Sequence, residues 1–430
     1  MQRHVPRGGV SERVNQEAPG KLEQRFPIAA PTSPNDLLAE MAEEPTDGRL
    51  RVGDPRVREF LTALARRLLA PGTARRFPEL ASLGFFLRRG EIEKILDSVG
   101  PAKDQLRVPR GLVFHVPPAN VDTIFVYSWA LSALAGNANV VRISSRSAGA
   151  AVAVLDALNA ALADAHPAIA QTQRMVTFGH DDAAFAALSH GCDLRVIWGG
   201  DQSVTAIRRH PLRPSARDLT FPDRSSFTVI SAAGWSAAGT AERHDAAIGL
   251  YNDSYWFDQA ACSSPRAIYW VGDAESVRRA QTELFALLAE VVAAKQPEVG
   301  AAMAIEKQVS TYGLAADGVA DEVRFAGNAI ATLGLTAPEL IPRRWLGVGT
   351  FPHARVDSLD ELLGIVERRD QTVTHFGFGG DELLSFAERL AGRGVDRMVP
   401  VGAALTFSAI WDGYDLLREF TRVTVVQTKA

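Results

Sequence analysis

The chain reads as an α/β protein of two domains, and three observations predict it. From about residue 111 onward, short apolar runs of strand length alternate with helical stretches, the pattern of parallel sheets joined by crossover helices. The alternation restarts at Phe227-Thr228-Val229-Ile230-Ser231, so a second α/β unit follows the first. The length of 430 residues also exceeds what one hydrophobic core usually serves.

Residues 1–48 are rich in Pro, Gly and charge, with turn chemistry at Pro31, Ser33 and Pro34, and read as a loosely structured lead-in. Over residues 55–97 the apolar positions (Phe60, Leu61, Leu64, Leu68, Leu69, then Phe85, Phe86, Leu87) fall at helical spacing, which predicts two or three amphipathic helices. Strands are then expected over 111–116, 138–143, 174–177 and 194–198, with helices over 122–135 and 148–163 and another before the last strand. Residues 49–226 form the expected cofactor-binding domain, 227–405 a domain carrying a cysteine, and 406–430 a C-terminal segment.

Composition excludes several classes. A net charge of −4 gives no electrostatic footprint for nucleic acid or an anionic membrane surface. No run of eighteen apolar residues is present to span a bilayer. Two cysteines, Cys192 and Cys262, cannot build a disulfide framework, and no Cys/His spacing resembles a zinc site, so no metal is expected and a reducing, cytoplasmic setting is.

Four stretches carry candidate chemistry, each with two readings. Cys262 lies between the aromatic segment Tyr255-Trp256-Phe257 and a strand, beside small residues that leave room for a carbonyl; it is a covalent nucleophile or a small buried hydrophobe. Asn120 closes Pro117-Pro118-Ala119 at a strand's carboxyl end, as an oxyanion donor or a helix N-cap. Arg142 and Ser144 end the next strand, where they hold a ribose or its 2′-phosphate, or where Arg142 makes a surface ion pair. Gly199-Gly200 separates a strand from a helix, open to a pyrophosphate or serving only as a turn. The usual G-x-G-x-x-G is absent after the first strand. Tyr255, Trp256, Phe257 and Trp411 read as an acyl channel or as core, and His115 and Cys192 as structural.

In order, these pieces give Pro118-x-Asn120, Gly136-Asn137-x-x-Val140-x-Arg142, the Gly199-Gly200 turn and Gln259-x-x-Cys262, a succession that resembles the aldehyde dehydrogenase superfamily. Within it, Phe257-Asp258-Gln259-Ala260-Ala261-Cys262-Ser263-Ser264-Pro265, the run from Gly394 to Leu405, and Trp411-Asp412-Gly413-Tyr414-Asp415 resemble the LuxC-type fatty acyl-CoA reductases over roughly residues 50 to 430. The resemblance implies a variant Rossmann cofactor domain, a second α/β catalytic domain and a small oligomerisation arm. It makes Cys262 the nucleophile, Asn120 with the Cys262 N–H the oxyanion hole, and Gly199 and Gly200 the cofactor turn. Arg142 and Ser144 then favour NADPH over NADH.

Thr220 stands where aldehyde-oxidising members keep a water-activating Glu, with Asp223 close by as an alternative base. The implied reaction is reduction of an acyl-CoA or acyl-carrier thioester to an aldehyde; the rivals are oxidation of an aldehyde to the acid and a catalytically silent binding member. An acyl-transfer partner protein and a homo-oligomer joined through residues 422–427 are further implications.

Overall fold

The computed structural model describes residues 20–100, 104–118, 124–145, 147–179 and 181–428. The first of two seven-stranded sheets runs in the order Ile28–Thr32, Leu22–Phe26, Gln173–Thr177, Ala138–Ile143, Leu112–Val116, Leu194–Trp198, Arg217–Phe221. Its last five strands are mutually parallel. Every residue of Leu194–Trp198 is buried, as expected of a central parallel strand covered on both faces. Helix Ile124–Leu134 is buried all round and forms the middle of the first core.

Leu112–Val116 pairs with Ala138–Ile143 on one side and Leu194–Trp198 on the other, so the strand order reverses there. Open α/β sheets bind ligands at the carboxyl ends of the strands beside such a reversal. The turn that feeds this region is fixed by Asn137, which is fully buried. Its Oδ1 accepts from the Arg110 and Gly111 N–H groups and its Nδ2 donates to the Ser132 and Phe420 carbonyls. The preceding Gly136 has φ +84° and packs against the Arg51 backbone, a place where a Cβ would collide.

The chain crosses from Phe221 to Ser225 and opens the second sheet, ordered Ala320–Ala326, Ile330–Leu335, Thr350–Val356, Pro265–Val271, Ser225–Ser231, Asp370–Phe376, Arg397–Pro400. Its pairings are parallel except for the hairpin of the first two strands. The carboxyl ends of the first sheet, at Trp198 and Phe221, thereby meet the amino ends of the second, at Ser225 and Pro265. Trp411, Leu416, Leu417 and Phe420 from the C-terminal segment join the core of the first domain. Thr421–Val425 pairs antiparallel with Gln105–Pro109, leaving Leu106, Val423 and Val425 exposed.

Two expectations need correction. The lead-in is not loose over residues 20–48. Leu22–Phe26 and Ile28–Thr32 form a hairpin that pairs with Gln173–Thr177, and helix Pro34–Ala42 follows, capped by the Ser33 side chain. The second hairpin strand is almost wholly exposed, so it lacks the apolar alternation that marks a strand, and Pro31 suits it to a sheet edge. The stretch 55–97 holds four helices, Pro55–Leu68, Pro71–Arg76, Pro78–Phe86 and Arg89–Asp97. Prolines at 71 and 78 each begin a new helix after breaking the one before.

Candidate active site

Cys262 opens on a cavity of about 150 Å³ between the two sheets. Trp198, Gly199, Gly200 and Phe221 contribute from the ends of the first sheet, Phe257 and Gln371 from the second domain, and Phe407, Trp411 and Asp412 from the C-terminal segment. Trp198 and Phe221 stack with ring centroids 3.6 Å apart, so one wall is a flat aromatic surface. The lining is mainly hydrocarbon, with Asp223, Gln371 and Asp412 among its few polar side chains.

A strained turn sets the position of that sulfur. Helix Thr240–Tyr255 ends, and Phe257, Asp258 and Gln259 all take the left-handed conformation, with φ of 53°, 53° and 60°. Each such residue without glycine's freedom costs roughly 1 kcal/mol, so something must hold the turn. The Gln259 side chain does: its Nε2 donates to the carbonyls of Pro265 at 2.7 Å and Thr350 at 3.1 Å, while its Oε1 accepts from the Thr350 N–H at 3.2 Å. Trp345 adds a hydrogen bond from its ring N–H to the Asp258 carbonyl at 2.8 Å. Three residues on, Ser226 Oγ donates to the Cys262 carbonyl at 2.7 Å.

Burial pushes the Cys262 thiol above its ordinary pKa, opposed by the Arg266 charge and by a hydrogen bond from the Arg224 backbone N–H; the carboxylates of Asp412 and Asp223 push the same way as burial. At neutral pH the resting sulfur is therefore protonated. Arg224, nearly buried, pairs with Asp396 at 2.6 Å and lies 3.7 Å from Asp412. Asp412 also accepts a hydrogen bond from the Gln371 amide and is pushed up to about 6, by burial first.

Gly199, Gly200 and Cys262 thus share one cavity. Asn120 lies outside the described residues. Arg142 and Ser144 are not among the lining residues: Arg142 lies over the rings of Phe178 and Phe185, about 5.2 and 5.1 Å from their centroids, with its Nε buried and unpartnered. Of the aromatics read as a channel, Phe257 and Trp411 reach the cavity, whereas Tyr255 stacks on Tyr251 in the core of the second domain.

His115 is buried between Ser128 Oγ and Asn139 Oδ1, each at 2.9 Å, and burial lowers its pKa to about 4. The Cys192 thiol, also buried, donates to the Ser189 carbonyl and is pushed up to about 12. Both are structural. Asp223 lines the cavity and Thr220 does not, so the geometry brings forward the carboxylate that the sequence leaves as an alternative. Gln371, Asp412 and Arg224 received no role from sequence. Of the three only Asp412 falls in a string singled out there, Trp411-Asp412-Gly413-Tyr414, which carries the family resemblance without announcing a function.

Residues 82–423 match the family model described as acyl-CoA reductase (LuxC). The chain belongs to the acyl-CoA reductase (LuxC) family. A long-chain acyl-protein thioester reductase of Photorhabdus luminescens is 24% identical to it over 322 residues, covering 73% of this chain and 63% of the relative. Another of that description, from Aliivibrio fischeri, is 25% identical over 303 residues, covering 68% and 59%. This member of the family therefore spans about 63% of the first relative's length. In three dimensions it resembles an NAD-dependent aldehyde dehydrogenase from Sinorhizobium meliloti, with a TM-score of 0.61 at 14% identity over 91% of this chain and 86% of the other. The fold of the family member is accordingly aldehyde dehydrogenase-like, as the motif order implies.

Proposed function

We propose that the chain reduces a long-chain acyl thioester to the aldehyde through an acyl group carried on Cys262. The observation that carries this reading is a half-buried thiol, three residues past a pinned and strained turn, lining a largely aromatic cavity that the Gly199-Gly200 turn also lines. Family membership and relatives described as long-chain acyl-protein thioester reductases support the choice of substrate class.

The site suits a nicotinamide dinucleotide in two respects. A Cβ built on Gly200 meets nothing within 4 Å, and helix Asp201–Arg208 starts there with no side-chain cap, so its N–H groups are free to approach a pyrophosphate. Trp198 in the same cavity wall has a buried ring N–H with no partner. Bound there, the cofactor supplies hydride. Arg142, with its unpartnered Nε, and Ser144 are the proposed contacts to the ribose side and favour NADPH over NADH.

The protein's part is then to present and shield the thiol. The Cys262 sulfur attacks the thioester carbonyl, and the Cys262 backbone N–H with Asn120 stabilises the oxyanion. The aromatic walls exclude water from the acyl-enzyme. Release of the first thiol precedes reduction, so ping-pong behaviour follows when acylation comes first. The substrate is an acyl-CoA or an acyl group on a carrier protein, which brings an acyl-transfer partner with it, and strand Thr421–Val425, with Val423 and Val425 exposed, is offered to a second copy. Among the described residues no helix is long and apolar enough to cross a membrane, and both cysteines are free thiols, in keeping with a reducing compartment.

Asp223 at the cavity favours one second reading, oxidation of an aldehyde to the free acid by activated water. Incubation with a long-chain acyl-CoA and NADPH separates the two. The proposal expects aldehyde and free CoA in equal amounts. Incubation with aldehyde and NADP yielding only free acid, with no thioester when CoA is added, would support the second reading instead.

A further inference from the structure

Burial leaves the Cys262 thiol protonated at neutral pH, so thioester exchange needs a group to take its proton, and departure of an alkyl thiolate into the same apolar cavity is eased by one that returns it. Two carboxylates line the cavity among the described residues, Asp223 and Asp412. Asp223 is exposed. Asp412 is only 5% exposed.

Resting on the thioester reading, we infer that Asp412 is the proton shuttle of the acyl-transfer half-reaction. Its carboxylate takes the proton from the Cys262 thiol as the sulfur–acyl bond forms, and returns it to the departing sulfur as the old thioester bond breaks. No atom changes oxidation state in this step, and the proton that leaves Cys262 ends on the released thiol.

The local geometry separates this role from a structural one. Asp412 and Gly413 are the two central residues of the hairpin Ile410–Trp411/Tyr414–Asp415, with φ of +49° and +75°, the conformation of a type I′ turn. Asp-Gly suits such a turn sterically, and that alone accounts for an aspartate at a solvent-facing tip. Here the carboxylate turns inward to the cavity wall, which the turn itself does not require. Arg224 holds it as an ion less tightly than it holds Asp396: the guanidinium makes its short contact to Asp396 at 2.6 Å and a longer ion pair to Asp412 at 3.7 Å, which favours the charged form without outweighing burial. Gln371 donates to one oxygen of Asp412 and keeps its own Oε1 buried without a partner in the same cavity, so the polar wall is unsaturated toward a ligand. The groups acting on Asp412 are Arg224, Gln371, Asp396 and Arg368, with Arg397 and Tyr127 also within its field. Their balance against burial leaves its proton exchangeable near neutrality, the condition for efficient transfer in both directions.

The test is Asp412→Asn in the full chain, because Asn-Gly forms a type I′ turn at least as well and keeps an oxygen for Gln371. Acyl adduct on Cys262 is followed by mass in the absence of cofactor, from an alkyl thioester and from an aryl thioester of the same acyl chain, beside alkylation of Cys262 by iodoacetamide. The expected result is a loss with both thioesters, since neither spares the deprotonation of Cys262, and one roughly tenfold or more larger with the alkyl thioester, whose poorer leaving thiolate also draws on the returned proton. Alkylation should stay within a few-fold, since removing a negative neighbour does not hinder the thiolate. Equal losses with both thioesters, a parallel loss of alkylation, or no loss at all each overturn the assignment. If the unaltered protein forms no adduct with either thioester, the thioester reading fails first and takes the shuttle with it.

Discussion

Replacing Gln259 by Met removes the anchor of the nucleophile's turn while conserving its length and bulk, so little cavity term is added. Three hydrogen bonds disappear, and the Pro265 and Thr350 carbonyls and the Thr350 N–H lose that partner in a site where Gln259 is only 2% exposed. At roughly 1 to 1.5 kcal/mol for each bond and its stranded partner, the gross loss is about 4 kcal/mol. Once Gln259 is gone the turn relaxes only in part, because Trp345 still holds the Asp258 carbonyl, and about half of the roughly 3 kcal/mol stored at Phe257, Asp258 and residue 259 returns, about 1 to 2 kcal/mol. The net destabilisation is therefore about 2 to 3 kcal/mol, below the roughly 5 to 15 kcal/mol that holds a domain folded. The variant should fold, with a lower urea midpoint for the second domain by tryptophan fluorescence. It should also lose most reductase activity, because the same relaxation carries Cys262 off its line. A midpoint within about 0.5 kcal/mol of the original together with full activity would refute the claim that Gln259 holds this turn.

Three other substitutions or titrations check different links. Gly234→Ala places a Cβ against the backbone of Gly377 on the neighbouring strand's exit, where no flexible side chain can yield, and should destabilise the second domain by about 2 kcal/mol or more in thermal denaturation. Gly200→Val adds bulk where nothing lies within 4 Å; stability should change by under about 1 kcal/mol, while the KM for the reduced dinucleotide rises about tenfold or more and Cys262 alkylation is unchanged. Because burial raises the Cys262 pKa, its thiolate fraction grows about tenfold per pH unit up to that pKa. Iodoacetamide alkylation should thus climb without levelling below about pH 9, with Cys192 unlabelled, and a plateau below about pH 8 would contradict the assigned burial effect.

What the sequence discloses depends on whether the signal is local. Strands 138–143 and 194–198 stand out because each is built on a short apolar core, Val140-Val141 and Val196-Ile197-Trp198, and the structure returns both with the expected bounds. Cys262 stands out as a lone thiol between aromatics and a strand, and Gly199-Gly200 as a turn between strand and helix. The hairpin over residues 22–32 does not, since an exposed edge strand carrying Pro31 has the composition of a loop. The polar wall of the cavity is also illegible: Arg224, Gln371, Asp396 and Asp412 come from four separate segments that only the packing of the C-terminal hairpin against both sheets brings together. The strain that aims the nucleophile is equally hidden, because Phe257-Asp258-Gln259 contains no glycine to advertise a left-handed turn.

The measurement that reaches furthest is intact mass of the protein after exposure to a long-chain acyl-CoA without reduced cofactor, followed by peptide mapping and addition of NADPH. The account predicts one acyl group, held as a hydroxylamine-labile thioester on Cys262 and discharged as aldehyde when NADPH is added. Absence of any adduct, an adduct on Cys192, or full aldehyde production by Cys262→Ala would contradict it.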